Sequence, residues 1–388
     1  MILQNTKVQL VKDTINEQDI SRLIEWLKTN PKLTKGDLTI EFEKQWSKWL
    51  GKKYSVFVNS GSSANLAALY SLLLLGNLKN NKIVVPAVSW VTTVTPAVQF
   101  GMEPIMCECD EDNLGLNIKH LKQIIKEHDP SSIILVHVLG FPNHMKEIVE
   151  LCKKHNIRLI EDTCESIGSE YDGKKLGTFG DLSTFSFYFG HHMSTIEGGM
   201  ISTDDEELYH ILLSIRSHGW DRDLPKSKQI ELREKYNIGD FRSLYTFYYP
   251  GFNLRATDLQ AFIGLEQLKK LDSIVKNRNL NYQKYHEGIK NNEWKINPPK
   301  DSFISNFSYP IITKNIKELV EKLTENNVEC RPLICGSINE HPFWYERYGK
   351  QDLPISKKVH EYGLYLPNNH QMTVEEIDKV INIVNQYV

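Results

Sequence analysis

Residues 183–199 read Ser-Thr-Phe-Ser-Phe-Tyr-Phe-Gly-His-His-Met-Ser-Thr-Ile-Glu-Gly-Gly and hold the most informative pattern of this chain. Small and aromatic residues alternate at its start, which is typical of a buried strand. A polar loop with His191 and His192 follows, and a second apolar run begins at Met200. The pattern therefore predicts two strands joined by a loop that carries two titratable side chains.

Over the first two-thirds of the chain, strand-like apolar runs alternate with helical patterns. This alternation indicates an α/β fold with a mostly parallel sheet covered by helices. One of the helices is predicted over 144–155 from the spacing of its apolar residues. We expect one large domain over residues 1–256, with strands at residues 54–58, 83–86, 105–109, 133–138, 157–161, 185–188 and 200–202.

The last third of the chain predicts a second, smaller α+β domain over residues 257–388. A continuous apolar stripe over 257–289 predicts one long helix that connects the two domains. Beyond it, the pattern predicts strands at 309–313 and 328–333 with a helix over 315–326 between them. A final helix is expected to begin at Thr373, because Thr373 and Glu376 form a capping-box pattern before an apolar run.

Composition excludes several classes of protein. The chain has 388 residues, 40% of them hydrophobic, and 46 basic against 49 acidic side chains, so neither global disorder nor a nucleic-acid partner is expected. No apolar run approaches the ~20 residues of a membrane span, and no secretory signal is evident. A cytoplasmic protein without a structural metal site is predicted, because six cysteines without a CxxC pair lie at 107, 109, 152, 164, 330 and 335.

Two further segments carry residues suited to chemistry. After the first predicted strand, Gly61, Ser62 and Ser63 open a helix with backbone N–H groups and hydroxyls, which suit a phosphate; ordinary capping of the helix by serine is the alternative. The strand at 157–161 ends in Glu-Asp-Thr-Cys-Glu, which places Asp162 at the ligand-binding edge of a parallel sheet. Asp162 could hold a protonated pyridine nitrogen, or it could cap a helix.

Together, the three segments resemble the DegT/DnrJ/EryC1/StrS sugar aminotransferases, which depend on pyridoxal phosphate. The family reads Ser-Phe-x-x-x-Lys-x-x-Thr-Thr-Gly-Glu-Gly-Gly where this chain has residues 186–199. The resemblance implies the aspartate aminotransferase-like fold (fold type I), with a seven-stranded, mostly parallel sheet and a small α+β C-terminal domain. His191 occupies the position of the family's Schiff-base lysine, and no lysine lies between Lys175 and Lys226.

A histidine at this position resembles the 3-dehydratases of the family, which remove the C3 hydroxyl of nucleotide-linked 4-keto-6-deoxyhexoses. The resemblance implies His191 as the catalytic base, pyridoxal or pyridoxamine phosphate held non-covalently, and L-glutamate as amino donor. One kind carries an iron–sulfur cluster, works with a reductase and acts on CDP-linked sugars. Only Cys330 and Cys335 follow His191, fewer than the four thiolates of such a cluster.

The cluster-free kind is therefore expected, without a reductase. For this kind the resemblance implies GDP-4-keto-6-deoxy-D-mannose as substrate, in the biosynthesis of colitose-type dideoxysugars of O-antigen. The alternatives are a CDP-linked 3-dehydratase, a nucleotide-sugar aminotransferase, and a degenerate relative that only binds a cofactor or a partner.

The resemblance also implies roles for individual residues. Asp162 matches the partner of the pyridine nitrogen, and Glu165 stands where many members carry Gln or His facing the phenolic oxygen. Trp90 matches a residue that stacks on the ring, with a core tryptophan as its alternative. Asn253 matches an asparagine that reaches the phosphate of the other subunit, which implies a homodimer with shared active sites. The phosphate candidates are Gly61, Ser62, Ser63 and Ser186.

Overall fold

The computed structural model describes residues 7–290 and 294–388. The helices in these ranges include α1 Glu17–Leu27, α2 Asp37–Leu50, α3 Gly61–Leu75, α4 Val91–Gln99, α5 Ile118–His128, α6 Met145–His155, α7 Glu206–Arg216, α8 Lys226–Lys235, α9 Asp240–Ser243, α10 Asp258–Leu268, α11 Leu271–Gly288, α12 Ile316–Glu325, α13 Pro342–Tyr348, α14 Pro354–Tyr362 and α15 Val374–Val384. The strands include β1 Tyr54–Val58, β2 Lys82–Pro86, β3 Glu103–Cys107, β4 Ser132–Val136, β5 Arg158–Asp162, β6 Glu170–Tyr171, β7 Lys174–Lys175, β8 Leu182–Ser186, β9 Gly199–Thr203, β10 Ser302–Phe303, β11 Tyr309–Ile312, β12 Arg331–Pro332 and β13 Gly363–Leu366.

The central sheet has seven strands in the order β1-β9-β8-β5-β4-β2-β3. Only β9 runs against its neighbours β1 and β8, and the remaining pairs are parallel. The prediction of a mostly parallel seven-stranded sheet is therefore confirmed. The strand expected at 185–188 lies at Leu182–Ser186, so residues 187–198 form the connection to β9.

Both faces of the central sheet are covered, because successive side chains of a strand point to opposite sides. Ile134 packs in one apolar cluster with residues of α3, α4 and α7, whereas Ile133 and Leu135 pack in another with residues of α5 and α6. A third cluster joins α2 and α10 to Phe57 and Phe185. The strand sequences are almost continuously apolar because the sheet is buried on both faces.

The C-terminal part contains an antiparallel sheet in the order β11-β13-β12. Its apolar cluster also includes Val88 and Phe141 from the first part of the chain, so the two parts share buried contacts. The expected capping box at Thr373 and Glu376 is present at the start of α15. Strand β13 and helices α13 and α14 have no counterpart in the sequence prediction.

The single helix predicted over 257–289 is wrong, because two helices, α10 and α11, occupy this segment. The break lies at Lys269 and Lys270. There the ammonium group of Lys270 donates to the carbonyl oxygen of Thr14 at 2.9 Å and pairs with Asp19. The chain therefore turns where the N-terminal segment docks. Within the described ranges, no helix is both long and apolar enough to cross a membrane.

Candidate active site

A cavity of about 420 Å³ opens at the carboxyl ends of β5 and β8, beside the N-terminus of α3. The predicted site residues Ser63 and Asn253 are not among those that line it. Seven others do, which brings together residues up to 130 positions apart in the sequence. These seven are Gly61, Ser62, Trp90, Asp162, Glu165, Ser186 and His191.

Asp162 lies at the end of β5 and is buried. Its Oδ2 accepts hydrogen bonds from Asn65 Nδ2 and Thr93 Oγ1, both at 2.8 Å. Its Oδ1 accepts from the backbone N–H of Cys164 at 3.1 Å. Donors from α3, from α4 and from the following backbone thus hold the carboxyl group in place. Because no helix begins at Asp162, the alternative of a helix cap is wrong.

Glu165 is buried three residues further on, with a relative exposure of 7%. Its Oε2 accepts a hydrogen bond of 2.8 Å from the backbone N–H of Leu139. Burial raises the pKa of Glu165 to about 8, against the opposing effect of this hydrogen bond, and the nearby charge of Asp162 adds to the rise. The carboxyl groups of Asp162 and Glu165 thus differ in their environments.

The first turn of α3 faces Ser186 at very short range. A Cβ atom added at Gly61 would lie 2.6 Å from the Cβ of Ser186, so only glycine allows this approach. Ser62 lines the cavity, and its hydroxyl donates to Thr92 at 3.2 Å. Ser60 caps the helix by accepting from the N–H of Ser63. The capping alternative thus holds for Ser60, while Gly61 and Ser62 remain available to a ligand.

His191 lies in the connection between β8 and β9, with its ring 5.2 Å from that of Phe307. Its Nδ1 is buried and has no hydrogen-bond partner among the described residues. Burial lowers the pKa of His191 to about 4; the backbone of Cys164 opposes this effect and the charge of Arg278 adds to it. The imidazole is therefore neutral at physiological pH and can accept a proton.

His192 points away from the cavity into the interior. Its Nε2 makes a hydrogen bond of 3.0 Å with the carbonyl oxygen of Ser305, and burial lowers its pKa well below the usual range. Beside both histidines lies the buried guanidinium of Arg278, which donates to the carbonyl oxygens of Phe307 (2.8 Å) and His191 (3.5 Å). His192 thus serves the local structure.

Trp90 and Asn253 differ in their relation to the cavity. Trp90 precedes α4 and is 53% exposed at the cavity, so the alternative of a core tryptophan is wrong. Asn253 is exposed elsewhere on the surface and pairs with Ser217 through a backbone bridge. Its predicted contact with another subunit stays a prediction.

Sequence reasoning missed the residues that support the site from other elements. Asn65 lies in α3 and Thr93 lies in α4. No local sequence pattern connects either residue to Asp162. Arg278 carries the clearer signal, since an arginine among apolar positions of a helix needs buried acceptors. Residues 7–290 and 294–388 contain no group of three or more His, Cys, Asp or Glu side chains that could hold a metal ion.

Comparison with known proteins identifies similar chains. A model of the DegT/DnrJ/EryC1/StrS aminotransferase family matches residues 13–385. GDP-4-keto-6-deoxy-D-mannose 3-dehydratase of Yersinia pseudotuberculosis is 34% identical over 391 residues, covering 97% of this chain and 98% of the relative. The protein of the same name from Escherichia coli O55:H7 is 35% identical over 356 residues, covering 89% and 91%.

A solved structure extends this similarity to three dimensions. It is a crystal structure of GDP-4-keto-6-deoxymannose-3-dehydratase with a trapped PLP–glutamate geminal diamine. The TM-score is 0.88 at 32% identity, covering 97% of this chain and 100% of that one. The likeness therefore includes both the central sheet and the C-terminal part.

Proposed function

Because the chain belongs to the DegT/DnrJ/EryC1/StrS aminotransferase family and has its aminotransferase-like fold, we propose that it is a pyridoxal-phosphate-dependent 3-dehydratase. The proposed substrate is GDP-4-keto-6-deoxy-D-mannose, which loses its C3 hydroxyl. The observation that carries the proposal is His191, whose neutral imidazole lines the cavity with Nδ1 unpaired among the described residues. The names of the similar proteins support the same reaction.

The lining residues fit pyridoxal phosphate held without a covalent bond. Asp162 presents a carboxyl group suited to the N–H of a pyridinium ring. Gly61 allows the close approach of α3 to Ser186, and the hydroxyls of Ser62 and Ser186 beside the N-terminus of α3 form the candidate phosphate cradle. Such a helix end suits a phosphate group, and the exposed face of Trp90 suits an aromatic ring.

When bound, pyridoxal phosphate would supply a conjugated ring that takes up the electrons of a breaking bond. His191 would move the proton at the C4′ carbon of the cofactor, since a neutral imidazole can accept it. No lysine lies between Lys175 and Lys226 to hold the cofactor covalently in this loop. L-glutamate is the proposed amino donor, supported by the glutamate trapped in the similar structure.

We also propose that two copies of the chain form a homodimer with shared active sites. Asn253 is exposed and lies outside the cavity of its own chain, so it can serve a phosphate bound by the other copy. The segment before it exposes aromatic side chains, with Phe241 81% and Tyr245 73% exposed. Exposed apolar patches of this kind mark interaction surfaces.

A second candidate function is transfer of nitrogen to a nucleotide sugar, which the family's name favours. A CDP-linked 3-dehydratase with an iron–sulfur cluster has less support, because only Cys330 and Cys335 follow His191. We further propose action in the cytoplasm, without a reductase, and a division into a cofactor domain (1–256) and a smaller C-terminal domain (257–388).

The test is a product analysis. Purified protein is incubated with pyridoxal phosphate, L-glutamate and GDP-4-keto-6-deoxy-D-mannose, and the nucleotide sugar is analysed by mass spectrometry. A GDP-linked 4-keto-3,6-dideoxy sugar, formed together with ammonia and 2-oxoglutarate, is expected. An amino sugar without release of ammonia would establish the transferase instead, and a parallel reaction with the CDP-linked substrate tests the nucleotide.

A further inference from the structure

The imidazole of His191 lacks the hydrogen bond that usually orients a catalytic histidine. In many enzymes an acceptor at the second ring nitrogen, often a carboxylate, fixes the direction of the ring. Nδ1 of His191 is buried and has no hydrogen-bond partner among the described residues. The backbone of Cys164 acts on the pKa of the ring, and none of the groups that shift this pKa is a carboxylate. The direction of the ring therefore depends on what packs against it.

The ring of Phe307 packs against the imidazole of His191 from the C-terminal part of the chain. The two ring centres are 5.2 Å apart, and the ring planes meet at 43°. Aromatic rings attract each other at such separations. Tyr188, in the same loop as His191, is further away at 6.4 Å and is 50% exposed. Phe307 also lines the cavity, so it borders the base where a ligand would bind.

Two buried side chains limit the movement of the Phe307 ring. The guanidinium of Arg278 lies over this ring, 5.9 Å from its centre, which is within the range of a cation–π interaction. The ring of His192 is 6.3 Å away, and its Nε2 is bonded to the carbonyl oxygen of Ser305. The aromatic ring beside His191 is thus itself supported on other sides.

The backbone around Phe307 is bonded to three separate elements. Its N–H donates to the carbonyl oxygen of Leu139 at 2.9 Å, and its own carbonyl oxygen accepts from Arg278 of α11 at 2.8 Å. The side-chain amide of Asn306 also donates to the carbonyl oxygen of Leu139, at 2.7 Å. The amide of Asn368, which follows β13, donates to the carbonyl oxygen of Asn306 at 2.9 Å. These bonds hold Phe307 at a defined place in the wall of the cavity.

We propose that Phe307 is a positioning residue, whose ring holds the imidazole of His191 in the orientation needed for proton transfer. The inference rests on the proposed function, which makes His191 the base. Packing by an anchored aromatic ring here performs the task that a carboxylate performs for other catalytic histidines. A base displaced by about 1 Å can lose on the order of 10²-fold in rate, so the position of this ring is expected to matter for kcat.

The first experiment separates positioning of the base from contact with the substrate. Phe307→Ala should lower kcat for C3 deoxygenation by about ten- to hundredfold. KM for the nucleotide sugar should stay within about threefold of wild type, and Phe307→Tyr, which keeps the ring, should retain kcat within about threefold. Phe307→Leu keeps most of the apolar volume without the ring and gives the same comparison if the alanine variant folds poorly. A loss confined to KM, or an unchanged kcat in Phe307→Ala, would overturn the proposal.

Phe303 provides a matched control four residues earlier. It is also partly buried, but it packs against the cluster that joins α2 and α10 and does not line the cavity. Phe303→Ala should lower the midpoint of urea denaturation, as Phe307→Ala does, and should keep kcat within about threefold of wild type. Equal losses of kcat in the two alanine variants would show that Phe307 only stabilises the fold, which would overturn the proposal.

The second experiment observes the imidazole directly and needs neither cofactor nor turnover. In NMR spectra of the apoprotein with labelled histidine, the ring signals of His191 are identified by their absence from His191→Asn. They should shift in Phe307→Ala, because the ring current of Phe307 is lost, and they should broaden, because the imidazole then exchanges between orientations. Phe303→Ala should leave them unchanged. Narrow, unshifted His191 signals in Phe307→Ala would overturn the proposal. An inactive wild-type protein would instead contradict the proposed function, so the two failures are distinguishable.

Discussion

The cavity has two walls of different construction. The strand-end wall, residues 162–165, lies at the end of β5, and the carboxyl group of Asp162 is held by donors from α3, from α4 and from the backbone of Cys164 within the wall. The loop wall, residues 187–198, has no regular structure, and its histidines lie beside the buried guanidinium of Arg278 without an acidic partner among the described residues. Hydrogen bonds thus hold a carboxyl group in place on one side, while burial maintains a neutral base on the other.

The largest effect is expected from removal of the proposed base in the loop wall. His191→Asn should lower kcat for C3 deoxygenation by roughly 10²–10⁴-fold, the usual contribution of general acid–base catalysis. Binding of pyridoxal phosphate should remain, because the phosphate cradle and Asp162 lie outside the loop wall. Product formation is followed by mass spectrometry and cofactor binding by absorbance.

The neighbouring histidine provides a matched control. His192→Asn removes the hydrogen bond to Ser305 and should cost about 1–3 kcal/mol of unfolding free energy. Its kcat should stay within about threefold of wild type, since the side chain lies away from the cavity. Equal losses of kcat in both variants would contradict the assignment of the base to His191.

Substitutions in the strand-end wall should change the binding of pyridoxal phosphate more than they change proton transfer. Asp162→Asn replaces the anion with a neutral amide, and the affinity for pyridoxal phosphate should fall by about ten- to hundredfold at pH 7. Thr93→Val removes one of the three donors and leaves the carboxylate, so a smaller loss is expected. Titration by absorbance gives both dissociation constants. A larger loss for Thr93→Val would mean that the ionised state of Asp162 is not what holds the ring.

The two walls also differ in how far the sequence predicts them. Asp162 follows an apolar run, and the edge of a parallel sheet then determines where its side chain lies. No comparable rule predicts the positions of side chains in the loop wall. Its shape depends on Arg278 and Ser305, which are more than 80 residues away in the sequence. The motif identified His191, but its pKa and the inward direction of His192 follow from tertiary contacts that no local pattern displays. The break after α10 escaped prediction for the same reason, since a distant segment docks there.

The charge of Arg278 makes a smaller contribution to the loop wall. Burial is the main cause of the lowered pKa of His191, and Arg278 adds to it. Arg278→Met should therefore raise the pKa of His191 by less than about one unit, so that the acid limb of kcat moves to higher pH. Arg278→Lys keeps the charge and should leave the limb near its wild-type position. Carbon-13 NMR of labelled histidine checks the shift directly, and a limb that moves to lower pH in Arg278→Met would contradict the electrostatic role.

The smallest expected effect concerns backbone strain in the loop wall. Ile196 has φ of +71° although it is β-branched, and its side chain is 53% exposed. Ile196→Gly relieves a left-handed cost of about 1–2 kcal/mol and restores about 0.5–1 kcal/mol of chain entropy to the unfolded state. The unfolding free energy of the variant, measured by urea denaturation, should thus increase by up to about 1 kcal/mol.

Leu114, with φ of +61° but buried, is the matched control. Leu114→Gly should destabilise the protein by about 2–5 kcal/mol, because the lost packing outweighs the relieved strain. Destabilisation in both variants would show that Ile196 packs the loop wall more than it strains it.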